Sequence, residues 1–139
     1  MSEPFDTLFA AALAVRGRAY VPYSNFKVGA AAITEDGHVF AGCNVENAAY
    51  PQGQCAEATT IGMMVAGGGA RIAALVVIGG EPGDGLLCSP CGGCRQRIRE
   101  FAGPETPIHI CGPEGLRRTA TLDELLPWSF GPDNLERRA

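Results

Sequence analysis

The spacing of apolar positions in the first third of the chain predicts a helix followed by a hairpin. After Pro4, the apolar side chains from Phe5 to Leu13 recur at intervals of three and four, which predicts an amphipathic helix that ends near Gly17. Residues 26–34 are rich in small apolar side chains and residues 38–43 continue the pattern. The turn residues between them, 35–37, predict a hairpin of two strands.

The remaining two thirds of the chain alternate helical and extended patterns. Residues 56–66 predict a helix that is ended by the three glycines at 67–69. The uninterrupted apolar run at 72–78 predicts a central strand, buried on both faces and parallel to a neighbour. Further elements are expected as follows: a helix from 91 to about 101, strands at 108–111 and 117–121, and a short helix behind the capping-box residues 121–124.

Two long segments without periodicity, 44–54 and 79–90, are expected to be loops that line a site, and residues 128–139 form a tail with no clear element. The order of elements predicts an α/β fold: a three-layer α/β/α domain with a mixed, roughly five-stranded sheet. A chain of 139 residues is expected to form a single domain, residues 1–139.

Charge and composition narrow the possible partners. The net charge of −4 and the single lysine, Lys27, argue against a nucleic-acid partner and favour a small uncharged substrate. The N-terminus carries no signal-peptide pattern, and the longest apolar runs, 8–15 and 72–78, are too short to span a membrane. We therefore expect a cytoplasmic protein whose six cysteines stay reduced.

Three cysteines and one glutamate have a spacing that suits a metal. Cys91 and Cys94 would share one face at the start of a helix, where the positive end of the dipole favours thiolates. Cys55 would supply a third ligand, with Glu57 two residues further on. A three-ligand zinc site keeps one position open for catalysis, whereas a fourth ligand would make it structural.

Other interpretations of these cysteines and histidines remain open. A lone Cys-x-x-Cys pair can also be a redox pair or a structural metal site. The remaining cysteines, Cys43, Cys88 and Cys111, are expected to be buried thiols that pack like small apolar residues. His38 and His109 are expected to be structural, although either could be a fourth ligand.

The sequence Cys55-Ala56-Glu57, with residues 90–94, Pro-Cys-Gly-Gly-Cys, matches the signature of zinc deaminases. The chain resembles the small homotetrameric zinc-dependent cytidine deaminases over nearly its whole length. The resemblance is carried by residues 23–31, 42–47, 91–96 and 125–130 in addition to the signature.

The resemblance implies an enzyme of pyrimidine salvage with one zinc ion per subunit, held by Cys55, Cys91 and Cys94. It implies hydrolytic deamination of cytidine and 2′-deoxycytidine to uridine and 2′-deoxyuridine plus ammonia. The reaction would use a zinc-bound hydroxide, with Glu57 as the proton shuttle.

The resemblance also implies the substrate contacts. Phe26 would flank the pyrimidine ring, while Asn44 and Glu46 would hydrogen-bond the ribose. The backbone around Ala56 and Ser89 would hold the base edge. Active sites in this family are shared between subunits of a homotetramer, so Tyr50 and Phe130 would reach into the pocket of another protomer.

One position departs from the pattern of the family. Members with three cysteine ligands usually carry arginine directly after the catalytic glutamate, and this chain has Ala58. Three thiolates leave a zinc site with net negative charge, which weakens the metal as a Lewis acid. The two helix N-termini could offset this charge, and Arg95 could do so by donating to a thiolate; a surface or interface role for Arg95 is the alternative.

Three other functions remain as alternatives. A deaminase of another aminopyrimidine nucleoside would share the zinc signature. Editing of tRNA or single-stranded DNA uses the same chemistry, but the acidic charge argues against it. A non-catalytic zinc module would need His38 or His109 to complete the coordination sphere.

Overall fold

The computed structural model describes residues 3–135 of the chain, arranged as helices on a single five-stranded sheet. None of the helices in that range has both the length and the hydropathy that a membrane span requires. The elements are the helices α1 (Glu3–Arg16), α2 (Ala56–Ala66), α3 (Gly92–Phe101) and α4 (Leu122–Leu125), and the strands β1 (Gly29–Thr34), β2 (Val39–Cys43), β3 (Ile72–Ile78), β4 (Pro107–Gly112) and β5 (Gly115–Thr121).

The sheet has the strand order β2-β1-β3-β4-β5, with β3 in the centre. β3 pairs parallel with β4, and the other neighbouring strands are antiparallel. The predicted mixed sheet, the hairpin of β1 with β2, and the central position of β3 are therefore confirmed. The parallel pair needs a crossover, which α3 and the loop before it provide.

Two apolar cores lie on opposite faces of the sheet because side chains alternate along each strand. On β3, Leu75 and Val77 join the core beneath α2 and α3, whereas Val76 and Ile78 join the core beneath α1. All four are fully buried. Helices thus cover the strand on both faces from Leu75 to Ile78, which gives the predicted three layers, whereas Ala73 near its start is exposed.

Small residues on β1 and β2 allow helices to lie close to the sheet. A Cβ atom at Gly42 would lie 2.7 Å from the backbone nitrogen of Thr60 in α2. A Cβ atom at Gly29 would collide with the carbonyl oxygen of Ala12 in α1. The contact at Gly42 places α2, which begins at the candidate site, directly against the hairpin, and the contact at Gly29 does the same for α1.

Two predictions about elements need correction. The first strand begins at Gly29 instead of residue 26, because Asn25 has a left-handed backbone with φ of 59° and the segment after it is held by side chains, outside the strand ladder. The tail contains a 3-10 turn at Pro132–Leu135, so it is not without structure. Residues 136–139 lie outside the described part of the chain.

Two arginines fasten the long loop 79–90. The guanidinium of Arg117 donates to the side chain of Asp84 and to the carbonyl oxygens of Glu81 and Leu86. Arg16, in the last turn of α1, donates to the carbonyl oxygen of Gly80 at 2.9 Å and to that of Lys27 at 3.1 Å. The loop is therefore tied both to β5 and to the segment that carries Phe26.

Candidate active site

Three thiols meet where α2 and α3 begin. Cys55 is the N-cap residue of α2, Cys91 is the N-cap residue of α3, and Cys94 lies in the first turn of α3. The sulfur atoms of Cys55 and Cys91 are 3.8 Å apart, and all three sulfurs lie within 4.8 Å of one another. Two sites separated by 36 residues in sequence thus form one cluster.

This cluster fits a tetrahedral zinc ion. Two thiolates on a tetrahedral zinc with Zn–S bonds of about 2.3 Å lie about 3.8 Å apart, which is the separation of the Cys55 and Cys91 sulfurs. The pKa of Cys91 is lowered, chiefly because the backbone amide of Cys94 donates towards its thiol. Burial raises the pKa of Cys55, so a cation is needed to hold all three residues as thiolates.

The cluster supplies three protein ligands. Within residues 3–135, no histidine, aspartate or glutamate joins the three cysteines as a further potential ligand. His109 is bonded to Thr119 through Nδ1 and packs edge-on against Phe5, on the face of the sheet beneath α1. His38 lies in the hairpin beside Asp36. Neither histidine joins the cluster, so a zinc ion held by the three thiols would keep a fourth position for a water molecule or substrate.

Glu57 lies beside the thiols in the first turn of α2 and is 4% exposed. Burial is the main cause that raises the pKa of its carboxyl group, and the positive charge of Arg97 acts in the opposite direction. A buried carboxyl group with a raised pKa can both accept and donate a proton near neutral pH.

A cavity of about 350 Å³ opens in front of the cluster. Six of the seven residues that were predicted to contact substrate lie in its wall. Those six are Phe26, Asn44, Glu46, Tyr50, Ala56 and Ser89; the wall also contains Cys55, Glu57 and Cys91. The sequence-based set therefore comes together in space, in front of one cluster of thiols.

Asn44 and Glu46 also hold the wall of the cavity. The Oδ1 atom of Asn44 accepts from the backbone of Val28 at 2.9 Å, and its Nδ2 atom donates to the carbonyl oxygen of Phe26 at 2.9 Å. Glu46 accepts from the backbone amides of Tyr23 and Ser24 and from the Ser24 hydroxyl. Those bonds lower the pKa of Glu46, so it is a carboxylate at neutral pH.

The two aromatic residues expected to act between subunits lie in different places. Tyr50 lines the cavity of its own chain and is largely exposed. Phe130 is exposed and does not line that cavity; its carbonyl oxygen accepts from Gln96 at 2.8 Å. The tail is thereby anchored to α3 while the ring of Phe130 projects from the subunit.

The structure corrects the role suggested for Arg95. Its Nε, Nη1 and Nη2 atoms donate to the Pro90 carbonyl oxygen, the Leu125 carbonyl oxygen and the Ser89 hydroxyl, at 2.7, 2.8 and 3.2 Å. Arg95 thus positions the residues before Cys91 and makes no contact with a thiol. The guanidinium that does contact a thiol is that of Arg97, whose Nη1 atom lies 3.7 Å from the sulfur of Cys94.

Sequence reasoning also missed Cys88. It was expected to be buried like an apolar residue, but it is half-buried and lines the cavity. Burial raises the pKa of its thiol to about 11, so it is uncharged at neutral pH. Its neighbour Gly79 has no room for a side chain, since a Cβ atom there would collide with the Cys88 sulfur and lie 3.5 Å from the ring of Phe26.

The protein has a three-layer α/β/α fold in which three thiols and a buried carboxyl group lie at an open cavity. This combination is typical of zinc enzymes whose metal has three protein ligands. Comparison with known proteins specifies the class further. The family model described as "Cytidine and deoxycytidylate deaminase zinc-binding region" matches residues 3–110.

Curated relatives match over most of their length. A cytidine deaminase of Sporosarcina psychrophila is 40% identical over 134 residues, which are 96% of each chain. A cytidine deaminase of Mycobacterium tuberculosis is 45% identical over 119 residues, 86% of this chain and 84% of the relative.

Solved structures agree with the family match. The crystal structure of cytidine deaminase from Burkholderia pseudomallei is 41% identical, with a TM-score of 0.82, over 94% of this chain and 100% of that one. That from Mycobacterium leprae is 42% identical, with a TM-score of 0.76, over 91% and 99%. The chain belongs to the cytidine deaminase family of zinc-dependent hydrolases.

Proposed function

We propose that this single-domain protein is a cytidine deaminase of pyrimidine salvage, which hydrolyses cytidine and 2′-deoxycytidine to uridine and 2′-deoxyuridine and releases ammonia. The observation that carries this proposal is the buried Glu57 carboxyl group beside three thiols, at a cavity large enough for a nucleoside. The names of the relatives support cytidine as the substrate.

Cys55, Cys91 and Cys94 would hold one zinc ion. When bound, zinc supplies a Lewis acid that lowers the pKa of a coordinated water from 15.7 towards about 7. Glu57 would accept a proton from the attacking water and deliver it to N3 of the pyrimidine. It would then take the remaining proton of the added hydroxyl group and give it to the departing amine, so that one carboxyl group acts as base and as acid.

The remaining cavity residues would orient the nucleoside. Phe26 lies on the cavity wall close to Gly79 and would stack against the pyrimidine ring. Glu46, a carboxylate, would accept from the ribose 3′-hydroxyl, and Asn44 has one N–H and one lone pair left for the same hydroxyl. The backbone of Ala56 and Ser89 would bind the base edge.

The protein would act as a cytoplasmic homotetramer with a nucleoside as its only substrate class and no nucleic-acid or membrane partner. All six cysteines are free thiols, which suits a reducing compartment. The exposed ring of Phe130 would complete the cavity of a neighbouring subunit, and Tyr50 would lie at the border between the two.

An absorbance assay tests the substrate. We expect turnover of cytidine and deoxycytidine, no turnover of cytosine, which lacks the ribose, and loss of activity after treatment with a chelator. Zinc content measured on the same sample should be one ion per chain. Cytosine turned over as fast as cytidine would contradict the roles of Asn44 and Glu46, and turnover unaffected by complete zinc removal would contradict the mechanism.

The substitution Glu57→Gln tests the proton carrier. The amide cannot shuttle protons, so we expect ammonia release from cytidine to fall by about 10²–10⁴-fold or more. The zinc content should stay unchanged, because Glu57 is not among the clustered ligand atoms. Near-normal turnover by this variant would rule out Glu57 as the proton shuttle.

A further inference from the structure

Three thiolates and a Zn²⁺ ion leave one net negative charge at the start of α2 and α3. The largest electrostatic cost falls on Cys94, whose residue is fully buried, whereas Cys55 and Cys91 are exposed. Both helix N-termini face the cluster and offset part of the charge. Ala58, the residue after Glu57, contributes no charge.

A guanidinium group lies next to the buried thiol. The Nη1 atom of Arg97 is 3.7 Å from the Cys94 sulfur, within the range for an N–H···S hydrogen bond. Arg97 is three residues after Cys94, so the two side chains share one face of α3. The same positive charge acts on the carboxyl group of Glu57. Arg97 is thus oriented towards the cluster and not only towards solvent.

The helix leaves space for this orientation. A Cβ atom at Gly93 would lie 3.1 Å from Nη1 of Arg97. The guanidinium of Arg97 therefore lies over Gly93, one helical turn before the Cα atom of Arg97. Because Gly93 has no side chain, the guanidinium can reach the sulfur of Cys94.

Arg97 differs from the other arginines of α3. Arg95 donates to Pro90, Leu125 and Ser89, and Arg99 bonds Ser129 and pairs with Asp133. In the described part of the chain, Arg97 forms no salt bridge with a carboxylate. Its charge is therefore available to the thiols.

We propose that Arg97 is a positioning residue of the zinc site, which donates to the Cys94 thiolate, offsets the surplus negative charge of three thiolate ligands and thereby strengthens zinc binding. This inference rests on the zinc site of the proposed function. Arg97 does not line the cavity, so it would act through Cys94.

Competition for zinc tests this inference without any substrate. Zinc-loaded protein and its variants are titrated with a chromophoric chelator under reducing conditions, and the zinc dissociation constant is obtained from the metal released. Groups that hydrogen-bond metal ligands typically contribute 10–100-fold to metal affinity, so we expect Arg97→Gln to raise the dissociation constant about 10-fold or more.

Two variants make the result specific. Arg99→Gln removes the same charge from the same helix, but Arg99 contacts Ser129 and Asp133, so its dissociation constant should match that of the wild-type protein. Arg97→Lys keeps the charge and should lose less affinity than Arg97→Gln. Circular dichroism of each variant checks that the fold is retained.

The outcomes separate this inference from the proposed function. A wild-type protein that binds no zinc would overturn both. Normal zinc binding with a dissociation constant for Arg97→Gln within twofold of the wild-type value would overturn only the role of Arg97. An equal loss in Arg97→Gln and Arg99→Gln would show a general charge effect and would also overturn it.

Discussion

Asn44 is the residue that joins the two walls of the cavity. Its side-chain amide bonds the backbone at Val28 and at Phe26, and its own backbone amide donates to the carbonyl oxygen of Val28. These three bonds hold residues 26–28 in an extended path outside the strand ladder. One side chain therefore has two tasks, the shape of the cavity wall and the proposed contact with ribose.

The substitution Asn44→Ala should cost stability as well as activity. It leaves the N–H of Val28, a buried residue, without its partner, and an unsatisfied buried polar group costs about 1–3 kcal/mol. Denaturant unfolding measures this cost. Asn47→Ala is a matched control, since Asn47 only caps an exposed loop. Equal stability of both variants would show that the bonds of Asn44 do not hold the wall.

The sequence singled out three cysteines and Glu57, which lie together in the structure, but for a contact with a thiol it selected Arg95, which donates to none of them. Arg95 follows Cys94 directly, and successive residues on a helix point about 100° apart. Arg97 is three residues on and shares the face of Cys94. The spacing of three residues was therefore the feature of the sequence that indicated Arg97. A charged residue on a helix is usually solvated, however, and only the contact with sulfur distinguishes Arg97 from its neighbours.

At the scale of elements, the loop 79–90 depends on the ion pairs of Arg117. This guanidinium pairs with Asp84 within the loop and with Glu114 in the turn before β5. The pKa of Glu114 is lowered to about 2, mainly by its hydrogen bond from Arg117, and the pKa of Asp84 is also lowered, mainly by backbone amides. The loop that leads to Ser89 and Cys91 is thus held by charged groups.

The substitution Arg117→Gln should lower the melting temperature, and the effect should depend on pH. Carboxyl groups with lowered pKa values stabilise the fold above their unfolded pKa and lose that contribution as pH falls. For Glu114 the loss runs from about 4.5 down to about 2. The difference between wild type and variant should therefore be largest near neutral pH and shrink towards pH 3, as measured by thermal unfolding.

Arg118→Gln serves as the control for this prediction, because Arg118 is the next residue on β5 and is exposed. Its melting temperature should follow that of the wild-type protein at every pH. A difference between wild type and Arg117→Gln that stays constant from pH 7 to pH 3 would show that ion pairing does not fasten the loop.

Helices whose ends are determined by residues nearby in the sequence were predicted well. The helix 56–66 appears as expected because glycines end it. The capping box of Thr121 with Glu124 also appears as expected, because its reciprocal side-chain bonds begin α4. The start of β1 was misplaced because Asn44, distant in sequence, holds residues 26–28. The turn at Pro132–Leu135 likewise depends on α3, because Arg99 pairs with Asp133.

On the scale of the whole molecule, the exposed aromatic side chains indicate a contact surface. Trp128, the only tryptophan, is fully exposed and has a left-handed backbone with φ of 56°, an uncommon conformation for a bulky residue. Phe130 is exposed two residues further on. An apolar surface of this kind is typical of a protein–protein interface.

Tryptophan fluorescence tests the proposed homotetramer. If neighbouring subunits cover Trp128, its emission should lie at shorter wavelength in the assembled protein and shift to longer wavelength on dilution. The mass from sedimentation should fall at the same concentrations, from four times the chain mass of 14.5 kDa. Emission typical of exposed tryptophan in a sample with the tetramer mass would place Trp128 outside the interfaces.

The close approach of the Cys55 and Cys91 sulfurs also has a consequence for the protein without its metal. A disulfide bond needs a separation of about 2.05 Å, so a movement of about 2 Å from the observed 3.8 Å would join the two exposed residues. Peroxide could then oxidise the pair and be reduced to water. Bound zinc would protect against this oxidative inactivation: chelated protein treated with peroxide should lose its capacity to rebind zinc, and chelated protein kept with a thiol reductant should retain it.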